Sequence, residues 1–193
     1  MIYEVCPTDE TNISWLFYKQ DIHGQLIIRD IYKDLICPVC GKFNEFDAIN
    51  RGISPDFHIQ SKNDWVSTSD YQICVTKKFK KTVEDNHIEG LDFISISKGS
   101  DHFVIICTYL TETDEKLAGF NYLKRCSHCG RYKEVIMGPL LEGMKIPQQL
   151  TFFVSEIANE NIKVSYRPIF ANDLIVNILN KAKIKGIDFV PAI

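Results

Sequence analysis

The chain has 193 residues, 45% hydrophobic and 24% charged, with a formal net charge of −3 at pH 7. That is room for one substantial domain or two small ones sharing a core, and the acidic balance argues against a general nucleic-acid binder, which needs a basic surplus. No apolar run approaches the ~18 residues of a membrane span, and Tyr3, Glu4, Asp9 and Glu10 come too early for an apolar leader, so a cytoplasmic protein is expected.

Taken along the chain, strands are predicted at Tyr3–Cys6, Ser14–Tyr18 and Gln25–Ile28. Leu35-Ile36 then leads into Cys37-Pro38-Val39-Cys40-Gly41-Lys42. A helix is expected after Thr76, whose side-chain oxygen can cap the orphan N–H groups of a first turn. Phe79 and Val83 form its apolar stripe and Gly90 is expected at its C′ position. Leu91-Asp92-Phe93 alternates as a strand would. Further strands are predicted at His102–Tyr109, Phe120–Lys124, Lys133–Met137, Thr151–Val154 and Lys163–Tyr166, with residues 111–119 as the best polar break. Cys126-Ser127-His128-Cys129-Gly130-Arg131 falls between Tyr122-Leu123 and Val135-Ile136. A last helix is capped by Asn172 or Asp173, carries Ile175, Ile178, Leu179 and Ala182 on one face, and is followed by Gly186 and a strand through Phe189.

Those elements are written twice. A constant shift of 96 (Gly90 to Gly186) aligns Ile73 with Ile169, Phe79 with Ile175, Val83 with Leu179 and Ile88 with Ile184. It also lays Gly90-Leu91-Asp92-Phe93 on Gly186-Ile187-Asp188-Phe189. The expected architecture is therefore α+β: one domain over 1–193 with an internal duplication, repeat one at about 25–100 and repeat two at about 117–193. Each repeat runs knuckle, helix, Gly-x-Asp-Phe strand.

The two C-x-x-C-G runs carry the chemistry. Two residues between thiolates let one tight turn aim both sulfurs at one ion, and the glycine closes the turn. A second turn completes a tetrahedral site, so Cys37, Cys40, Cys126 and Cys129 are the candidate ligands of one structural Zn²⁺. In a reducing compartment paired C-x-x-C reads as metal before disulfide; a redox pair would open a helix with a single C-x-x-C. Zinc would then join the repeats as a split ribbon, its arms much further apart than the 15–20 residues of a compact one. Cys74 and Cys107 sit in apolar runs, where cysteine behaves as a small hydrophobe.

Catalytic readings find little support. His128 could replace a knuckle cysteine, but His23, His58, His87 and His102 form no ligand pattern. No nucleophile elbow, phosphate loop or dinucleotide fingerprint occurs. Asp92 and Asp188 look like an acid/base pair, and repetition explains them better. Lys77-Lys78-Phe79-Lys80-Lys81 with Lys181, Lys183 and Lys185 could meet phosphate, but two solvated helix faces account for them better. Trp15-Leu16-Phe17-Tyr18, Trp65 and Tyr71 are expected mostly in the core. Asp9-Glu10, Glu112-Asp114-Glu115 and Glu156-Glu160 could steer a basic partner.

At the knuckles and the helix–Gly endings the chain resembles the double-CXXCG motif proteins, a bacterial family first noted in myxobacteria. The ending Lys185-Gly186-Ile187-Asp188-Phe189-Val190-Pro191 is also similar to that of bacterial immunity-protein-like domains; Ser95 stands where the first copy would need proline. The resemblance runs from about Gln25 to Ile193. It implies a non-enzymatic immunity protein that neutralises a cognate toxin by direct binding. The competing expectation is a zinc-ribbon module that binds nucleic acid or regulates.

Overall fold

A computed structural model describes residues 1–8, 15–136, 140–156 and 168–192. The strand expected at Lys163–Tyr166, and the acidic residues Asp9, Glu10 and Glu160, lie outside the described residues. The fold is α+β. Strand β1 is Ile2–Pro7, β2 Tyr18–Gln20 and β3 Leu26–Ile28. A 3-10 turn at Asp30–Leu35 and helix α1 at Glu45–Arg51 flank the first knuckle. Then come β4 Trp65–Ser67, β5 Ile73–Thr76, α2 Lys77–Asp85, β6 Leu91–Ser95, β7 His102–Cys107 and β8 Leu110–Thr111. The second half holds β9 Asn121–Arg125, β10 Tyr132–Ile136, a short α3 Leu140–Gly143 and β11 Val154–Ser155. It closes with β12 Ile169–Asn172, α4 Asp173–Lys181 and β13 Ile187–Pro191.

Sequence periodicity did not show α1, β4, β5 or β12. They are short, and their apolar residues are contiguous where the sheet is covered on both faces: Cys74 and Val75 are both fully buried. Where a strand was expected from Ser14, the backbone at Trp15–Phe17 is irregular and pairing begins at Tyr18. Its polar groups are met by side chains. Asp70 accepts from the Leu16 and Phe17 N–H groups (3.0 and 2.7 Å), and Arg29 donates to the Trp15 and Leu16 carbonyls. Leu16, Phe17 and Trp65 are core residues as expected, whereas Tyr71 is exposed.

Two strand–helix–strand units share one plan. In the first, β5 and β6 flank an antiparallel β7; in the second, β12 and β13 flank an antiparallel β1. The registers coincide. Thr76 faces His102 and Phe93 faces Ile105, while Asn172 faces Ile2 and Phe189 faces Val5, one shift of 100 (Ile2 to His102) relating the middle strands. The middle strand follows its unit in the first half and precedes it in the second. That shift sets Tyr3 against Phe103 and Val5 against Ile105, but with the middle strand in a different chain order it falls outside the shift of 96 that relates the rest of the units.

Both helices start as expected. Thr76 Oγ1 accepts from the Phe79 N–H (3.4 Å), and Asn172, not Asp173, accepts from the Ile175 N–H (3.1 Å). They end earlier than the glycines. His87 and Lys183 take the left-handed C′ position at φ 52° and 53°. The N–H that follows reaches back five residues in each, Ile88 to the Val83 carbonyl and Ile184 to the Leu179 carbonyl, which is the Schellman closure. Gly90 and Gly186 have another purpose. A Cβ at Gly90 would strike the Phe152 carbonyl oxygen, and one at Gly186 the Trp65 carbonyl oxygen.

Those close approaches join the units reciprocally. Phe152 N–H donates to the Glu89 carbonyl of the first unit, and Trp65 N–H donates to the Lys185 carbonyl of the second, both at 3.0 Å. Trp65 and Phe152 are fully buried and both rings contact Phe79, at 5.4 and 6.2 Å between centroids. Phe79 and Val83 of α2 lie with Ile175 and Leu179 of α4 in this one core. Asp64 fastens the same junction. Its carboxylate accepts from Thr76 Oγ1 (2.7 Å), the Lys185 N–H (3.0 Å) and Lys78 Nζ (3.1 Å). Although burial works against it, these donors hold the Asp64 carboxyl below the usual carboxylate range.

Candidate metal centre

Each knuckle closes on itself in the same way. Cys37 N–H donates to the Lys42 carbonyl and Gly41 N–H to the Cys37 carbonyl, both at 2.9 Å. In the second knuckle, Cys126 N–H donates to the Arg131 carbonyl (2.7 Å) and Gly130 N–H to the Cys126 carbonyl (2.9 Å). Both glycines stand at φ 71°. Each turn caps an antiparallel pair. Arg125 opposite Tyr132 in the β9–β10 hairpin matches the single bridge of Ile36 with Phe43.

The two turns meet at their sulfurs. Cys37 Sγ lies 3.9 Å from Cys126 Sγ, and Cys40 Sγ lies 3.6 Å from Cys129 Sγ, across 89 residues of sequence in both cases. All four sulfurs fall within 4.8 Å of one another. Sulfurs ~2.3 Å from a tetrahedral zinc stand about 3.8 Å apart, so the cluster has the size of such a site. Among the described residues these four cysteines are the one group placed to hold a metal ion. His128 is exposed on the tip of its knuckle.

The basic residue after each knuckle reaches across to the other. Lys42 Nζ donates to the Tyr132 carbonyl. Arg131 is buried and donates to the Phe43 and Lys42 carbonyls (2.8 and 2.9 Å) and from Nε to Cys129 Sγ (3.3 Å). Four thiolates around a divalent ion leave two negative charges, and Lys42 and Arg131 supply two positive ones beside them. Phe43 roots the first knuckle in an aromatic cluster, 5.1 Å from Phe17 and 6.1 Å from both Tyr18 and Tyr32. Tyr132 roots the second, its ring 4.8 Å from Tyr122 and its face under Arg125.

The thiols are not equivalent. The Cys40 N–H, foremost, holds Cys37 below its ordinary value. The Lys42 N–H lowers Cys40, but burial and the neighbouring thiols outweigh it and push Cys40 up to about 11. Burial raises Cys129, yet the Arg131 N–H and guanidinium bring it down to about 6. The thiolate form is therefore favoured at Cys37 and at Cys129 beside Arg131, and an ion bound by all four sulfurs would displace the remaining protons.

The other sequence candidates are dispersed. Asp92 and Asp188 occupy matching exposed positions of β6 and β13. In the basic run, Lys78 pairs with Asp64, Lys80 with Glu84 and Lys81 with Asp85. Lys80 also lies over the Phe93 and Phe103 rings. Among the described residues no helix is long and apolar enough to cross a membrane.

Sequence reasoning missed the cross-bridging by Lys42 and Arg131. The signal was present, a basic residue after each C-x-x-C-G, but only the meeting of the knuckles shows what each cation faces. No family model matches the chain, and no match was found among curated proteins.

Proposed function

We propose that the chain is a zinc-stabilised bacterial immunity protein that neutralises a cognate toxin by direct, stoichiometric binding. One zinc is held by Cys37, Cys40, Cys126 and Cys129 as a split ribbon. The observation that carries the zinc reading is the four-sulfur cluster, closed by two backbone turns of the same geometry and flanked by Lys42 and Arg131. With every tetrahedral position filled by protein there is no site for a reactive water, so the reading takes the metal as structural and gives it no part in catalysis. The two strand–helix–strand units are read as copies of one ancestral unit, which the ion joins.

The toxin partner rests on the resemblance of the knuckles and of the Gly-x-Asp-Phe ending to the double-CXXCG and immunity-like proteins. The ion pairs of Lys78, Lys80 and Lys81 favour this reading over a nucleic-acid module, whose lysines would be kept for phosphate.

Native mass spectrometry tests both parts, on protein purified without added metal and mixed with the product of the adjacent gene. One zinc per chain and a stoichiometric complex are expected. Zinc without a complex would refute the immunity reading. A metal-free protein with oxidised cysteines would refute the ribbon.

A further inference from the structure

Each sulfur of one knuckle touches the corresponding sulfur of the other, Cys37 to Cys126 at 3.9 Å and Cys40 to Cys129 at 3.6 Å. Closing by about 1.9 and 1.6 Å would bring both pairs to the ~2.05 Å of a disulfide. The two pairs differ in depth. Cys37 and Cys126 are buried, whereas Cys40 and Cys129 are half-buried and open to a small solute.

The protein also holds the knuckles together by bonds that do not pass through the sulfurs. Lys42 Nζ donates to the Tyr132 carbonyl, and Arg131 donates to the Phe43 and Lys42 carbonyls. With these cross-bridges in place the sulfurs stay opposite one another when no ion ties them. Within a knuckle the position is different. The backbone is fixed by the Cys37 N–H to Lys42 carbonyl and Gly41 N–H to Cys37 carbonyl bonds, and by their equivalents at Cys126 and Gly130. A bridge between two cysteines of one such turn would have to distort it, while a bridge between turns moves each as a unit.

We propose that the four-cysteine centre is an oxidation-tolerant clasp. Hydrogen peroxide converts its thiolates to two disulfides between the knuckles, Cys40–Cys129 first and Cys37–Cys126 second, and the ion leaves while the two halves stay joined. In each step one thiolate of the pair attacks a peroxide oxygen. The S–O bond forms, the O–O bond breaks, and the departing hydroxide takes a proton to become water. The partner thiolate then attacks the sulfenic sulfur. The S–S bond forms, the S–O bond breaks, and a second hydroxide leaves as water after taking another proton. Two electrons pass from the sulfurs to the peroxide for each disulfide. After the outer pair has reacted two thiolates remain, too few for a tetrahedral site. The inner disulfide then spans the same 89 residues that the ion had bridged.

This inference rests on the zinc reading for the identity of the ion released, and the connectivity rests on the sulfurs alone. The full-length chain is purified under reducing conditions, its zinc is measured by elemental mass spectrometry, and it is treated with one equivalent or an excess of hydrogen peroxide. Remaining thiols are alkylated and the monomer is digested with trypsin. Neither 34–42 nor 126–131 contains an internal Lys or Arg, so each leaves as one peptide carrying both cysteines of its knuckle. A bridge between knuckles links the two peptides, and a bridge within a knuckle leaves them separate. Linked peptides are expected. Fragmentation should place Cys40–Cys129 in the singly oxidised product and add Cys37–Cys126 in the fully oxidised one. Zinc should appear in solution with the first disulfide. The oxidised chain in chelator should melt ~10 °C or more above the reduced chain in chelator, because a covalent crosslink has replaced the ion. Separate peptides, crossed pairing of Cys37 with Cys129, thiols that survive excess peroxide, or equal melting of the oxidised and reduced chains would each overturn the proposal. Separate peptides from a zinc-loaded chain sink this inference alone. Linked peptides from a chain that held no zinc sink the zinc reading alone.

Discussion

Cys126→Ser tests whether a metal crosslink holds the two halves. The ligands join points 89 residues apart in sequence, so an intact site removes the freedom of a long loop from the unfolded chain. By the chain-entropy relation for a crosslink, a loop of about 90 residues corresponds to ~4.6 kcal/mol at 25 °C. Domains of this size have total stabilities of only about 5–15 kcal/mol. Serine is a poor zinc ligand, and its loss of the crosslink should lower Tm by ~10–20 °C at about 2–4 °C per kcal/mol. The assay is differential scanning calorimetry of wild type and variant, each with and without a strong chelator, beside metal content by elemental mass spectrometry. Wild type should lose most of that Tm on chelation, and the variant should respond little. Full metal content in Cys126→Ser, or a wild-type Tm that chelation moves by less than about 3 °C, would refute the crosslink argument.

Four further outcomes are expected. Arg131→Ala removes the donors to Cys129, Phe43 and Lys42, so metal affinity in a chelator competition should drop about 10–100-fold, the usual effect of losing a residue that supports the ligands. Asp64→Asn should cost on the order of 1–3 kcal/mol in urea titrations at neutral pH, since Thr76, Lys185 and Lys78 all donate to the carboxylate. The Asp64 carboxyl is held below its ordinary value when folded. Its contribution is thus complete above the ordinary carboxylate range and lost as pH falls through the depressed folded value, so the gap between wild type and variant should close in acid. Gly186→Ala should be distinctly more destabilising than Gly24→Ala. Both residues have positive φ, but a Cβ meets nothing within 4 Å at Gly24 and meets the Trp65 carbonyl at Gly186; equal losses would mean that the close approach is not rigid. Cys74 is fully buried and burial pushes its thiol up, so in native protein it should be the last cysteine to react with a thiol reagent.

What the sequence determined by itself was local. C-x-x-C-G is a contiguous turn, and its hydrogen bonds close within six residues, so Cys37, Cys40, Cys126 and Cys129 were readable as candidate ligands before any fold was known. The caps at Thr76 and Asn172 and the stripes of Phe79–Val83 and Ile175–Leu179 are likewise set by near neighbours, which is why a shift of 96 residues (Gly90 to Gly186) exposed them. The glycines were legible as special but not for the right reason. His87 and Lys183 end the helices, and Gly90 and Gly186 admit a backbone from the other unit, a demand no local window contains.

Tertiary structure decided everything that needed a partner distant in sequence. It brought β1 into the place that β7 holds in the first unit, although β1 comes before its unit in the chain and β7 after, because strand pairing depends on which strands meet in space and not on their order in the sequence. It turned Lys42 and Arg131 from two surface cations into cross-bridging donors. It also left Tyr71 outside a core that its composition alone would have placed it in, because the turn tied by Thr68 and Asp70 points that residue outward.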